Sequence, residues 1–123
     1  MSHMVSMTHT VFVIEDEEEL REMMRDALEL SGYAVVTAEE GQQALEKIAG
    51  IQNLCLVILD LVMPGMNGWD FFEKMRQRTE FGSVPVIIYT SAPGRAPSGA
   101  TRVLQKPMPF ERLLSTVREY CPA

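Results

Sequence analysis

Apolar and polar positions alternate along this chain in two different rhythms. Val11-Phe12-Val13-Ile14 is a short β-branched and aromatic run that stops at Glu15-Asp16. Between Glu18 and Ser31, the residues Leu20, Met23, Met24, Ala27 and Leu28 recur at helical spacing, and Gly32 ends the pattern. Ala34-Val35-Val36-Thr37 reads as a second strand. Ala44, Leu45 and Ile48 mark a short helix between Glu40 and Ala49, closed by Gly50. Leu54-Cys55-Leu56-Val57-Ile58-Leu59 is apolar at every position, so both faces of this strand are expected to be buried, and it ends in Asp60. After a loop holding Pro64, Gly65 and Gly68 comes a helix with Trp69, Phe72 and Met75. Val86-Ile87-Ile88-Tyr89 is a second doubly apolar strand, ending in Thr90-Ser91. Arg102 to Gln105 leads into Lys106-Pro107, and Leu113, Leu114, Val117 and Tyr120 give a terminal amphipathic helix.

Strands apolar on both faces that alternate with helices predict an α/β fold, a five-stranded parallel sheet wound on both sides. Ligands in such sheets bind beyond the carboxyl ends of the strands. Here those ends carry Glu15 and Asp16, Asp60, Thr90 and Lys106.

The crossover before the last strand is different. From Thr90 to Lys106 there are 106 − 90 = 16 steps, and only the eleven residues Ser91 to Thr101 are free for it. They include Pro93, Gly94, Pro97 and Gly99, which are poor helix material. The fourth helix is therefore expected to be absent or cut to a turn.

Composition narrows the function. The 123 residues suit one domain, and 46% hydrophobic with 23% charged residues suits a packed core. Seventeen acids against eleven bases give a net charge of −6, which disfavours binding to nucleic acid or to an anionic membrane. Residues 1–8 are read as a tag or irregular start, and residues 9–121 as the domain. The first ten residues lack a secretion signal, so a cytoplasmic location is the default. Cys55 and Cys121 are not expected to form a disulfide framework, and Cys55 reads as a small buried apolar residue. His3 and His9 lie away from the acidic residues and are not read as ligands.

Three carboxylates at one sheet edge repel one another unless something compensates them. Mg²⁺ is the natural partner, since it takes oxygen ligands from one or two carboxylates and from phosphate. Lys106 supplies a fixed charge for a phosphate, and Thr90 a hydroxyl donor. Together they suit a carboxylate that attacks phosphorus and becomes an aspartyl phosphate.

The acidic pair Glu15-Asp16, the stretch Ile58 to Gly68, the run Pro85 to Thr90 and the pair Lys106-Pro107 together resemble the receiver domain of two-component response regulators. The resemblance covers residues from about 9 to 121. It implies a flavodoxin-like fold and a phosphoacceptor at Asp60. It also implies Mg²⁺ held by Asp16, Asp60 and the Val62 carbonyl, with Glu15 acting through water in place of the commoner aspartate. Thr90 is then the phosphoryl contact and Lys106 its ion-pair partner. A cis peptide before Pro107 is common in the family. The implied partner is a histidine kinase or phosphotransfer protein, with a downstream protein target and a monomeric or weakly dimeric state. Such a module catalyses only its own phosphorylation and dephosphorylation.

The sequence departs from the family pattern in three places. Val62 and Ala92 are apolar where many relatives carry polar side chains, which points to altered dephosphorylation. Val103 occupies the usual aromatic switch position. The shortened crossover removes much of the customary output surface. Two other functions compete with the phosphoacceptor. One is a phosphorylation-independent pseudo-receiver acting as an interaction module. The other is an aspartyl-phosphate hydrolase, disfavoured because Val62 stands where a general-acid aspartate belongs.

Overall fold

The computed structural model describes residues 8–122, so the expectation for the first seven residues lies outside the described part. The elements run β1 (Thr10–Ile14), α1 (Glu18–Leu30), β2 (Ala34–Ala38), α2 (Gly41–Ile48) and β3 (Leu54–Leu59). They continue with α3 (Gly68–Gln77), β4 (Val86–Thr90), β5 (Arg102–Gln105) and α4 (Phe110–Tyr120). All strands are parallel, in the order β2-β1-β3-β4-β5. The order reverses between β1 and β3, and crevices that bind ligands open at such reversals.

Strand alternation divides the interior into two cores. Phe12, Ile14, Val57, Leu59, Val86 and Ile88 face α2 and α3, where Ala44, Ile48, Phe71 and Met75 complete the packing. Val11, Val13, Leu56, Ile58, Ile87 and Tyr89 face α1 and α4 and meet Met24, Leu28, Leu113 and Val117. Both faces of the three central strands β1, β3 and β4 are thus largely buried, as the apolar runs of β3 and β4 require. Met23, placed in the α1 stripe by its spacing, instead lies on the solvent side at 48% exposure. The buried position of that stripe belongs to Arg21.

The crossover from β4 to β5 holds no regular helix, only a single 3-10 turn at Pro93–Arg95. Prolines without N–H groups and Gly99 at φ +95° suit an irregular path. Side chains do the anchoring instead. The Trp69 indole N–H donates to the Arg95 carbonyl at 2.7 Å, and the Arg95 guanidinium lies 5.1 Å from the Trp69 ring. Thr101 Oγ1 accepts from the Val86 N–H at 2.9 Å. Trp69 thus pins the loop to α3. On the preceding connection, Arg76 donates to the carbonyls of Phe81, Gly82 and Val84 at 3.2, 3.2 and 2.9 Å, shaping the entry to β4.

The cysteine expectation is corrected. Cys55 and Cys121 form a disulfide, with Cα atoms 5.8 Å apart across a sequence separation of 66. The first residues of β3 and the end of α4 meet at the same edge of the sheet, a juxtaposition set by topology rather than by local spacing.

Phe71 is fully buried between α3 and the sheet. Phe71→Ala is expected to cost about 3–5 kcal/mol. Urea unfolding should show a lower midpoint with an unchanged slope, whereas a loss below ~1 kcal/mol would place Phe71 outside the core.

Candidate functional site

The carboxyl edge of the sheet gathers residues from four connections. β1 delivers Glu15, buried at 1% exposure, while the adjacent Asp16 is exposed. β3 delivers Asp60, buried, with its backbone N–H donating to the Ile14 carbonyl at 3.1 Å. Carboxylate oxygens of Glu15, Asp16 and Asp60 all lie within 4.8 Å of one another. Lys106, just past β5, donates to Glu15 Oε1 at 2.7 Å and to Asp60 Oδ2 at 3.2 Å. Thr90 closes β4, fully buried, and its hydroxyl oxygen accepts from the Ala92 N–H at 3.2 Å. The Lys106 N–H donates to the Thr90 carbonyl at 2.9 Å, which ties the two last strand ends together. The peptide bond between Lys106 and Pro107 is cis.

Charge and burial are in tension here. Burial raises the Glu15 carboxyl from the ordinary 4.5 to about 7, even though the hydrogen bond and charge of Lys106 pull it down. For Lys106, desolvation disfavours the ammonium, but the bonds and charges of Glu15 and Asp60 outweigh it and hold its pKa above the usual value. Lys106 bonds two of the three clustered carboxylates, so hard oxygen donors with excess negative charge are concentrated in a small volume. That donor set fits a hard divalent cation such as Mg²⁺.

Sequence reasoning missed Arg21. Buried on α1, it donates from Nη1 to the Glu15 carbonyl at 2.9 Å and to the Asp16 carbonyl at 3.4 Å. Its other nitrogen pairs with exposed Glu39 at 3.4 Å. The guanidinium therefore holds the backbone that carries the acidic pair. The available signal was a charge in register with Met24 and Leu28, three and seven residues on, along the buried stripe.

Gly68 is the second missed residue. A Cβ there would sit 2.3 Å from the Asp60 carbonyl oxygen and 2.7 Å from Leu61 Cα. Its N–H donates to the Leu61 carbonyl at 2.9 Å, so α3 begins directly against the end of β3. Asn67 caps that helix by accepting from the Asp70 N–H at 2.9 Å.

Val62 is exposed at 54%, two residues beyond Asp60, and Ala92 is half-buried beside Thr90. Val103 is 38% exposed on β5. Tyr89 turns to the opposite face from Ile88, and its hydroxyl accepts from the Met108 N–H at 3.1 Å. Glu17, Glu18 and Glu19 are exposed at the start of α1, where the helix dipole favours acids. His9 lies apart from this cluster, near the sulfurs of Cys55 and Cys121.

A family model described as the response regulator receiver domain matches residues 11–118. Chemotaxis protein CheY1 of Helicobacter pylori is 33% identical over 87 residues, covering 70% of each chain. The transcriptional regulatory protein HprR of Escherichia coli is 32% identical over 114 residues, covering 88% of this chain and 49% of its own length. Among solved structures, chemotaxis protein CheY4 of Vibrio cholerae has a TM-score of 0.82 at 28% identity, covering 93% of this chain and 99% of its own. Response regulator TrrA of Thermotoga maritima, in complex with Mg²⁺-BeF, has a TM-score of 0.81 at 28% identity, covering 92% and 99%. The chain spans only 35% and 48% of the curated regulators YrkP of Bacillus subtilis and MprA of Mycolicibacterium vanbaalenii that it also matches.

Two measurements follow from this geometry. Gly68→Ala should destabilise the fold by about 1–3 kcal/mol and shift the backbone amide resonance of Asp60. An unshifted amide would contradict the close approach. Because the Glu15 pKa is raised on folding, its contribution to stability is complete below about 4.5 and lost as pH rises through about 7. In metal-free buffer, unfolding titrations should record that loss, and Glu15→Gln should flatten it. A pH dependence identical in the two proteins would refute the burial of an unneutralised Glu15.

Proposed function

Since the chain belongs to the response regulator receiver family of two-component systems, we propose that it works as a phosphoacceptor module with Asp60 as the acceptor. The single observation that carries this reading is the bridging of Asp60 and Glu15 by the Lys106 ammonium. Residues 9–121 form the working unit. The phosphoryl donor is a phosphohistidine on a histidine kinase or phosphotransfer protein, and the product controls contact with a downstream protein.

An Asp60 carboxylate oxygen attacks phosphorus. A P–O bond forms as the donor's P–N bond breaks, and the electron pair leaves with the imidazole nitrogen. Lys106, already 3.2 Å from Asp60 Oδ2, orients the carboxylate and stays beside the negative charge that arrives with the phosphoryl group. Thr90 is positioned at the neighbouring strand end to donate its hydroxyl to a phosphoryl oxygen. Arg21 and Gly68 do not touch the reacting atoms. They fix the two strand ends on which the reacting groups sit. Asp16, Asp60 and the Val62 carbonyl would hold Mg²⁺, with Glu15 acting through water, and the ion would supply positive charge against the phosphoryl oxygens. The chain processes no external substrate and catalyses only its own gain and loss of phosphate. The acidic balance suits a protein partner rather than nucleic acid, and no helix among the described residues is long and apolar enough to cross a membrane.

A second reading has one observation in its favour. Lys106 lies closer to Glu15 than to Asp60, so the pocket is partly neutralised from within. That arrangement suits a pseudo-receiver that binds its partner without phosphate.

Incubation with a small acyl-phosphate donor separates the two readings. Intact mass should show one Mg²⁺-dependent phosphoryl adduct that is lost in Asp60→Asn. Lys106→Ala should slow its formation by about two orders of magnitude. No adduct on the wild-type chain, under conditions that label a control receiver, would favour the pseudo-receiver.

A further inference from the structure

Cys55, Cys121 and His9 stand together at the amino edge of the sheet, the opposite end from the acidic cluster. Five residues of β1 separate His9 from Glu15, and six strand steps span about 20 Å. Each of the three offers a ligand atom, and these atoms all lie within 4.8 Å of one another. We propose that in its dithiol state this trio is a binding site for a thiophilic d¹⁰ cation of the Zn²⁺ class, closed off when the two cysteines are joined.

The backbone that carries the trio is held from several sides. The His9 carbonyl accepts from the Ala34 N–H at 3.0 Å, and the next residue, Thr10, donates its N–H to Asn53 and its hydroxyl to Gln52, at 2.9 and 2.8 Å. The Cys121 N–H donates to the Val117 carbonyl at 2.8 Å, and its own carbonyl accepts the buried Tyr33 hydroxyl at 2.5 Å. Cys55 sits at the second position of β3. Ligands on such fixed elements need little ordering when a metal binds. Two thiolates and one imidazole suit zinc, which at Zn–S ≈ 2.3 Å and Zn–N ≈ 2.0–2.1 Å sets tetrahedral ligand separations of about 3.5–3.8 Å. That spacing is within reach of side-chain rotation on backbones 5.8 Å apart at Cα. Cys121 is buried and Cys55 half-buried, while His9 is exposed, so the imidazole marks the side from which a cation enters and where water completes the fourth position.

The chemistry balances simply. A dithiol reductant of the thioredoxin class delivers two electrons and two protons to the disulfide and leaves two thiols. Binding then displaces the two thiol protons, giving two thiolate bonds and one imidazole bond to the cation. A disulfide oxidant of the same exchange class takes back the two electrons and leaves as its own dithiolate, which joins the two sulfurs, consumes both thiolate ligands and releases the metal. The site is independent of the phosphoacceptor reading.

The test uses the full chain reduced with a phosphine, in excess Mg²⁺ so that the acidic cluster is not the acceptor. Titration with Co²⁺ as a spectroscopic probe should produce a thiolate-to-cobalt band that saturates at one ion per chain and is bleached by Zn²⁺. The band should vanish in the disulfide form and in Cys55→Ser and Cys121→Ser. His9→Gln, at an exposed position before β1, should weaken Co²⁺ binding while leaving the urea midpoint of the metal-free reduced chain unchanged. No band in the reduced wild type, a band that persists in Cys55→Ser, binding unchanged by His9→Gln, or saturation at one ion per two chains would each overturn the proposal.

Discussion

The ammonium of Lys106 joins three strands that the chain visits at widely separated points. Its bonds to Glu15 and Asp60 bridge 91 and 46 residues respectively. Without that cation, the ends of β1 and β3 would present buried carboxylates with nothing to offset their repulsion. The parallel sheet brings these ends together, and the single positive charge makes their proximity tolerable. One ammonium does not balance three carboxylates, and burial still raises the Glu15 carboxyl despite its bond to Lys106. An acidic pocket left short of positive charge has the donor set of a divalent-cation site.

Supporting residues make that pocket rigid in two ways. Arg21 spends its guanidinium on backbone carbonyls at the end of β1, and Gly68 lets α3 begin in contact with the end of β3. Neither contributes charge to the cluster of carboxylates itself. Each fixes a strand end from a different side of the sheet, Arg21 from α1 and Gly68 from α3. The crossover between β4 and β5 is tied by Trp69 rather than by helical packing, so that side of the molecule presents an irregular loop.

Much of this was legible in the sequence because the relevant signals are local. Doubly apolar strands read as β3 and β4, the polar residues at their ends mark the ligand edge, and the prolines at 93 and 97 exclude a helix there. The interactions that escaped are long-range or break a local rule. Arg21 is a charge on a buried stripe, and its partners are carbonyls that no pattern of side chains reveals. Met23 follows the helical period loosely enough to be assigned to the core, yet it lies one step around from Met24 and faces water. The pairing of Cys55 with Cys121 depends on where β3 begins and α4 ends, and so does the approach of His9 to both. Their positions in the sequence carry no trace of this meeting.

The identity of the acceptor can be read chemically. Hydride reduction of an aspartyl phosphate converts that residue alone to homoserine, which survives digestion and sequencing by mass. After treatment with a small acyl-phosphate donor and Mg²⁺, followed by borohydride, the account predicts homoserine at position 60 and at no other acid. Homoserine at position 16, 5-hydroxynorvaline at position 15, or a phosphoryl group on a residue that resists hydride, would contradict it.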